Sequence, residues 1–188
     1  MSAGAELIVF PEAYISGCSA WIWRLSPGGD WGTSEEIHGC LLGSAVDIDA
    51  GDLKLLCDAA KNNKITIVCG ANERDGKLSK ATLYNTAVVI GADGSILNRH
   101  RKLMPTNPER MVWGFGDGSG LNVVDTSAGR VGTLLCWENY IPLARYALYS
   151  QDVEIYVAPH TIAAMNGWER CSILLARDAA GLYAVELP

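Results

Sequence analysis

The sequence predicts a layered α/β sandwich, and three observations carry that prediction. Two short apolar runs, residues 6–10 (Glu-Leu-Ile-Val-Phe) and 131–135 (Val-Gly-Thr-Leu-Leu), have the continuous hydrophobicity of strands covered on both faces. Elsewhere apolar residues recur at helical spacing: Leu53, Leu56, Cys57 and Ala60 within 52–62, and Ala144, Ala147 and Leu148 after Pro142. Tight turn signals at Ala92-Asp93-Gly94-Ser95 and at residues 127–130 join further strand pairs. Hairpins mixed with crossover units point to stacked layers rather than a simple doubly wound sheet.

In chain order, Pro11 ends the first strand and Glu12 follows at its carboxyl end, the side where open α/β sheets place ligands. The loop from Tyr14 carries Trp21, Trp23 and Trp31, which make either an aromatic pocket wall or a loop packed on the body. Residues 34–42 read as a short helix, with Ser34 as its cap and Glu35 and Glu36 in its first turn. A strand is expected at 64–70, a polar turn at 72–80, and strands at 84–90, 96–100 and 121–125. The 131–135 strand runs directly into Cys136 and a helical pattern, with Pro142 suited to the helix's first turn. The last clean strand is 153–158.

Composition narrows the function classes. A chain of 188 residues with 49% hydrophobic and 19% charged residues can bury a real core. Its net charge of −6 argues against nucleic acid or an anionic membrane as main partner, and no apolar run is long enough to span a bilayer. The N-terminus has no basic region followed by an apolar core, so no signal peptide is read there. The six cysteines are scattered without a C-x-x-C pair or a zinc-ligand rhythm, and read as reduced cytoplasmic thiols.

Three chemistry-bearing side chains each follow a strand: Glu12, Lys102 and Cys136. Singly, each has a bland reading as a loop acid, a member of the basic run Arg99-His100-Arg101-Lys102, or a small core cysteine. Jointly, at one edge of a sheet, they would hold a base, a cation and a nucleophile. A cysteine between a strand end and a helix N-terminus would also sit in a potential that favours thiolate.

The segments Phe10-Pro11-Glu12-Ala13, His100-Arg101-Lys102-Leu103-Met104-Pro105-Thr106, Glu109-Arg110-Met111-Val112-Trp113-Gly114 and Cys136-Trp137-Glu138-Asn139-Tyr140 resemble the nitrilase branch of the carbon–nitrogen hydrolase superfamily in content, order and spacing. The resemblance covers about residues 5–159. It implies a four-layer αββα sandwich that dimerises and often builds spiral homo-oligomers. It further implies a catalytic triad on Glu12, Lys102 and Cys136, with Glu109 as a supporting glutamate. Trp137 directly after the cysteine is typical of nitrilases more than of the amidase branches. Tyr14, Trp137 and His160 are the substrate-facing residues expected from it. The implied reaction turns a small nitrile into a carboxylic acid and ammonia through a cysteine thioimidate and an acylenzyme, with no metal and no organic cofactor. An amidase or carbamoylase of the same superfamily is the rival reading. A non-catalytic chain that only associates with full-length relatives is the rival from another class.

The chain departs from the family pattern in three places. The loop Tyr14-Ile15-Ser16-Gly17-Cys18-Ser19 replaces a Pro-Gly-Tyr-Pro-like turn. The strand and helix that precede the first motif in the family have no counterpart before residue 5, and the long segment after the last one is missing, so the domain is expected to be incomplete. Residues 1–165 are therefore read as a partial carbon–nitrogen hydrolase domain, and 166–188 as a divergent or frameshifted tail. Codons for residues 172–182 can be chosen whose shifted frame reads His-Ile-Ala-Arg-Glu-Gly, the family's missing helix signature.

Overall fold

The computed structural model describes residues 4–26 and 28–160 with their side chains, and the backbone of 162–164, 167–170, 172–177 and 185–186. Strand β1 (Leu7–Val9) opens the fold and is followed by helices α1 (Trp31–Ser44) and α2 (Lys54–Asn63). Strands β2 (Thr66–Arg74), β3 (Leu83–Ile90) and β4 (Ile96–Arg101) form a meander on which β1 lies parallel to β2, giving the order β1-β2-β3-β4. Strands β5 (Val124–Thr126) and β6 (Gly129–Thr133) make a hairpin, helix α3 (Pro142–Tyr149) crosses over, and β7 (Ile155–Pro159) returns parallel to β6. The backbone strands β8 (Ile162–Ala164) and β9 (Gly167–Arg170) pair with each other, while β10 (Ser172–Arg177) and β11 (Val185–Glu186) extend the second sheet to the order β11-β10-β7-β6-β5. The expectation of a divergent or frameshifted tail falls mostly on residues whose side chains lie outside the described set.

The period-two alternation of the strands builds the layers. On β2, Ile67, Cys69 and Ala71 point one way and pack with Val88 and Ile90 of β3 against Leu56, Cys57 and Ala60 of α2. Val68 and Val89 point the other way and meet Val131 and Val157 of the second sheet, with Val9, Val124 and Ile155 at the margin. The outer face of that sheet, with Leu134, Tyr156 and Ala158, is covered by Ala144 and Leu148 of α3. The order α2, sheet, sheet, α3 is the expected αββα sandwich. Its centre is a seam of fully buried valines, each contributing about 1.5–3 kcal/mol of burial free energy. None of the described helices is long and apolar enough to cross a membrane.

Several sequence expectations shift. Among the described residues β1 is an edge strand and is not covered on both faces as its apolar run suggests: Ile8 is 40% exposed. Helix α1 begins at Trp31, so Ser34 lies inside it and donates its N–H to Asp30 O at 2.9 Å. Strand β2 runs on through Asn72, Glu73 and Arg74, which the polar composition assigns to a turn. These polar groups are buried because each finds partners: Asn72 Nδ2 donates to Ile15 O and Gly17 O, and the Glu73 carboxylate accepts from Thr86, Arg99 and Arg101. The β6 ladder ends at Thr133, yet Leu134 N still donates to Val157 O (3.1 Å), so the extended run continues toward Cys136.

Candidate active site

The first site residue is placed by a backbone detour. Phe10 N donates to Val68 O and Ile15 N to Gly70 O, so five steps of one chain face two steps of β2, and the Pro11-Glu12-Ala13 segment arches over the strand. Gly70 makes the arch possible: a Cβ there would stand 2.2 Å from Pro11 O and 2.7 Å from Glu12 Cα. The arch turns Glu12 inward, only 3% exposed, with Asn85 Nδ2 of β3 donating to its Oε1 at 2.7 Å.

Lys102 leaves β4 with its N–H on Asn85 O (2.8 Å) and its own carbonyl accepting from Gly116 N (2.9 Å), so both sides of its backbone are fixed. Its ammonium is buried between two carboxylates, 2.8 Å from Glu12 Oε1 and 3.0 Å from Glu109 Oε2. Burial works against the ammonium, but Glu12 and Glu109 override it and hold the group above the ordinary lysine range. Glu109 is steadied in turn by Thr106 N, which donates to the same oxygen at 2.8 Å.

Cys136 comes from the other sheet. It stands at the end of the extended run with φ = 52°, a left-handed conformation that costs a non-glycine residue of order 1 kcal/mol or more. The chain then winds into a short 3-10 turn (Cys136–Tyr140) before α3 begins at Pro142. The expected helix N-terminus is therefore absent at the thiol, and the expected thiolate-favouring shift is reversed. Burial, and next to it the Glu12 charge, push the Cys136 thiol up, while Lys102 and the Trp137 N–H pull it back. The balance favours the thiol, with a Glu12 carboxylate oxygen within 4.8 Å of the sulfur. Deprotonation is thereby tied to a proton acceptor beside it, rather than to a pre-formed thiolate.

One residue of this machinery is missed by the sequence reading. Glu138, 1% exposed, accepts His100 Nε2–H (2.8 Å), Leu103 N–H (2.7 Å) and Leu135 N–H (2.9 Å). It clamps the segment after Lys102 to the segment before Cys136. An acidic side chain three residues past Leu135, at the start of a tight turn, was the available signal. Asn139 adds a second fastening, donating Nδ2 to Cys136 O at 2.7 Å.

The family profile described as "Carbon-nitrogen hydrolase" matches residues 1–179. The chain belongs to the carbon-nitrogen hydrolase family. Its sequence likeness is to the nitrilase branch: it is 42% identical over 159 residues to "Bifunctional nitrilase/nitrile hydratase NIT4A" of Lupinus angustifolius, covering 84% of this chain and 44% of that one. It is 39% identical over 176 residues to "Nitrilase 2" of Arabidopsis thaliana, covering 93% of this chain and 50% of that one. The chain thus spans about half the length of these relatives. Among solved structures, the carbon-nitrogen hydrolase from Helicobacter pylori G27 superposes with a TM-score of 0.57 at 23% identity, over 86% of this chain and 50% of that chain. Saccharomyces cerevisiae Nit3 gives 0.61 at 15% identity, over 97% and 75%. These two likenesses support the fold.

In this carbon-nitrogen hydrolase chain the expected residues Glu12, Lys102, Glu109, Cys136 and His160 come together. Tyr14 and Trp137 do not join that buried group. Both are more than half exposed, Tyr14 against the Phe10 ring and Trp137 against Tyr140. Of the tryptophans, Trp21 and Trp31 border an open cleft of about 170 Å³ with His38 and Met111, and Trp23 is half-exposed. Glu12, Cys136 and His160 have ligand atoms within 4.8 Å of one another, a donor set that suits a soft divalent ion. The Lys102 ammonium, 2.8 Å from Glu12, already neutralises that carboxylate and would repel such an ion.

Proposed function

We propose that the chain is a nitrilase-type hydrolase that acts on a small nitrile through Cys136, Glu12 and Lys102. The observation that carries the reading is the shared carboxylate: Glu12 stands within 4.8 Å of the Cys136 thiol and is hydrogen-bonded to the Lys102 ammonium, in a chain about 40% identical to named nitrilases. Glu12 takes the thiol proton as sulfur forms its bond to the nitrile carbon, and one C≡N electron pair moves to nitrogen. The nitrogen recovers that proton from Glu12, giving a thioimidate. Lys102 and the Trp137 N–H stabilise the negative charge that develops on the way. Water adds to the thioimidate and ammonia leaves, which makes a thioester. A second water, deprotonated by Glu12, expels the thiol and releases the carboxylic acid. Glu109 holds Lys102 in place. Tyr14, two residues after Glu12, and Trp137, next after Cys136, offer aromatic faces that suit aryl or arylaliphatic substituents.

All five cysteines among the described residues are free thiols, which supports a reducing, cytoplasmic location. The outward face of the turn and helix after Cys136, with Tyr140, Leu143 and Tyr146 exposed, supports association with a second copy.

The test is ammonia release from a panel of alkyl, arylaliphatic and aryl nitriles, with acid and amide products separated by chromatography. The chain is expected to release ammonia and acid, and Cys136→Ser to release none, because a hydroxyl is far harder to deprotonate. Comparable turnover by the serine variant would remove Cys136 as nucleophile. Ammonia from amides alone would move the assignment to the amidase branches.

A further inference from the structure

The parallel register of β6 and β7 has a chemical consequence at its end. Val131, Gly132 and Thr133 pair with Ile155, Tyr156 and Val157, a constant offset of 24 positions. Leu134 N donates to Val157 O and prolongs the alignment beyond the ladder. The same offset, carried on, sets Cys136 beside His160, the first residue past Pro159 at the end of β7. Neighbouring parallel strands deliver their next residues to the same edge of a sheet, and here they deliver a thiol and an imidazole. His160 Nδ1 lies 2.6 Å from Cys136 Sγ, and the ring is partly buried.

Glu12 and His160 both border the sulfur, and the thiol has a single proton. Two acceptors would compete for it, whereas one acceptor and one donor satisfy the site completely. Glu12 is also held by Lys102 and Asn85, so it is positioned as the proton acceptor. We propose that His160 is a further catalytic residue, whose neutral Nδ1–H donates to Cys136 Sγ and stabilises the thiolate formed when Glu12 takes the proton. Burial is the largest influence on the imidazole and lowers it; Glu12 and, more weakly, Glu109 pull the other way, Lys102 adds to burial, and the balance favours the neutral ring. The step balances without a proton from His160: the thiol proton passes to Glu12, and sulfur keeps the electron pair while two N–H groups, His160 Nδ1–H and Trp137 N–H, face it. The donor offsets the burial that pushes the thiol up.

This inference rests on the reading of Cys136 as nucleophile but needs no nitrile in its test, so failure of nitrile turnover and failure of the His160 role are separable. Iodoacetamide alkylation of Cys136 is followed from pH 6 to 10 by peptide-resolved mass spectrometry on the full chain, its His160→Ala variant and its His160→Asn variant. Peptide resolution is required because Cys18 and Cys69 are also pushed up, to about 12, by burial. His160→Ala is expected to alkylate about tenfold more slowly at pH 8 with its profile moved to higher pH, the scale for losing a hydrogen bond to a charged group. Asparagine can place an amide N–H near the position of Nδ1, and His160→Asn should stay within about threefold of the parent. Should the alanine variant fail to fold, His160→Phe fills the ring's volume without an N–H and takes its place. An unchanged pH profile in the variant without a donor, or an asparagine variant as slow as that one, would overturn the proposal.

Discussion

A methyl group at position 70 should disable the site from beneath. Gly70 lies in β2 opposite Ala87, and in Gly70→Ala the new Cβ meets Pro11 O at 2.2 Å, Ala13 N at 2.6 Å and Glu12 Cα at 2.7 Å, all of them backbone atoms. Ordinary contact begins near 3.4 Å, so the arch must lift by about 1 Å, since β2 is held on both sides by neighbouring strands. That lift moves Glu12 away from Asn85 and Lys102, which now sit at 2.7 and 2.8 Å from it. Overpacking of this kind costs about 1–3 kcal/mol of stability. A displacement of about 1 Å at a reacting group costs on the order of a hundredfold in rate. Urea denaturation would measure the first quantity, and ammonia release together with Cys136 alkylation the second. Gly39→Ala is the control: it lies in α1, its Cβ would meet nothing within 4 Å, and it should leave activity alone while gaining up to about 1 kcal/mol in helix propensity. A Gly70→Ala protein with the parent's midpoint and the parent's rates would refute the reasoning, because the arch would then have to be free to move without moving Glu12.

Two further substitutions test the supports. Glu138→Gln replaces two acceptor oxygens with one and turns an amide N–H toward Leu103 N or Leu135 N, so a buried donor is stranded; a loss of about 1–3 kcal/mol is expected, and an unchanged urea midpoint would contradict it. Glu73→Gln breaks the contacts to Arg99 and Arg101 and should cost about 3 kcal/mol, the low end for a buried pair because both arginines keep an edge in water. Burial raises the Glu73 carboxyl, but its Arg99, Arg101 and Thr86 hydrogen bonds outweigh this and hold it below the ordinary value of 4.5. Its contribution is therefore complete above pH 4.5 and lost as pH falls further, when the unfolded chain binds the proton more readily. Stability measured from pH 6 to 3 should fall less steeply in Glu73→Gln than in the parent, and parallel curves would remove Glu73 as a source of acid sensitivity.

The parts of the fold legible in sequence are those where local pattern and tertiary environment agree. Helix α2, strands β3 and β4 and the turn between them are read nearly to the residue, because alternation and turn chemistry are local signals. Glu12, Lys102 and Cys136 were legible as residues that follow strands, and the structure gathers the strand ends. Asn72, Glu73 and Arg74 were not, since a polar run predicts solvent unless its partners are known, and those partners, Ile15, Gly17, Arg99 and Arg101, lie far off in sequence. The direction of the Cys136 shift was hidden for a similar reason. A helix end is visible in sequence, whereas burial beside Glu12 is a fact of tertiary packing. Trp31 marks a subtler limit: Ser34 and its two glutamates signal a helix start, while the helix begins at Trp31.

The proposed acid and its cation arrive from one sheet, and the thiol with its imidazole neighbour from the other. What holds the two halves in register is the valine seam between the sheets, assisted by Glu138. Chemistry in this molecule therefore gauges how the sheets are docked rather than whether each is formed. A slip of about an ångström along that seam would leave every strand ladder intact and all three helices wound, yet would part the proton from its acceptor. Loss of reactivity would come first, with the backbone still folded, and the seam rather than the strands would set the conditions under which the protein works.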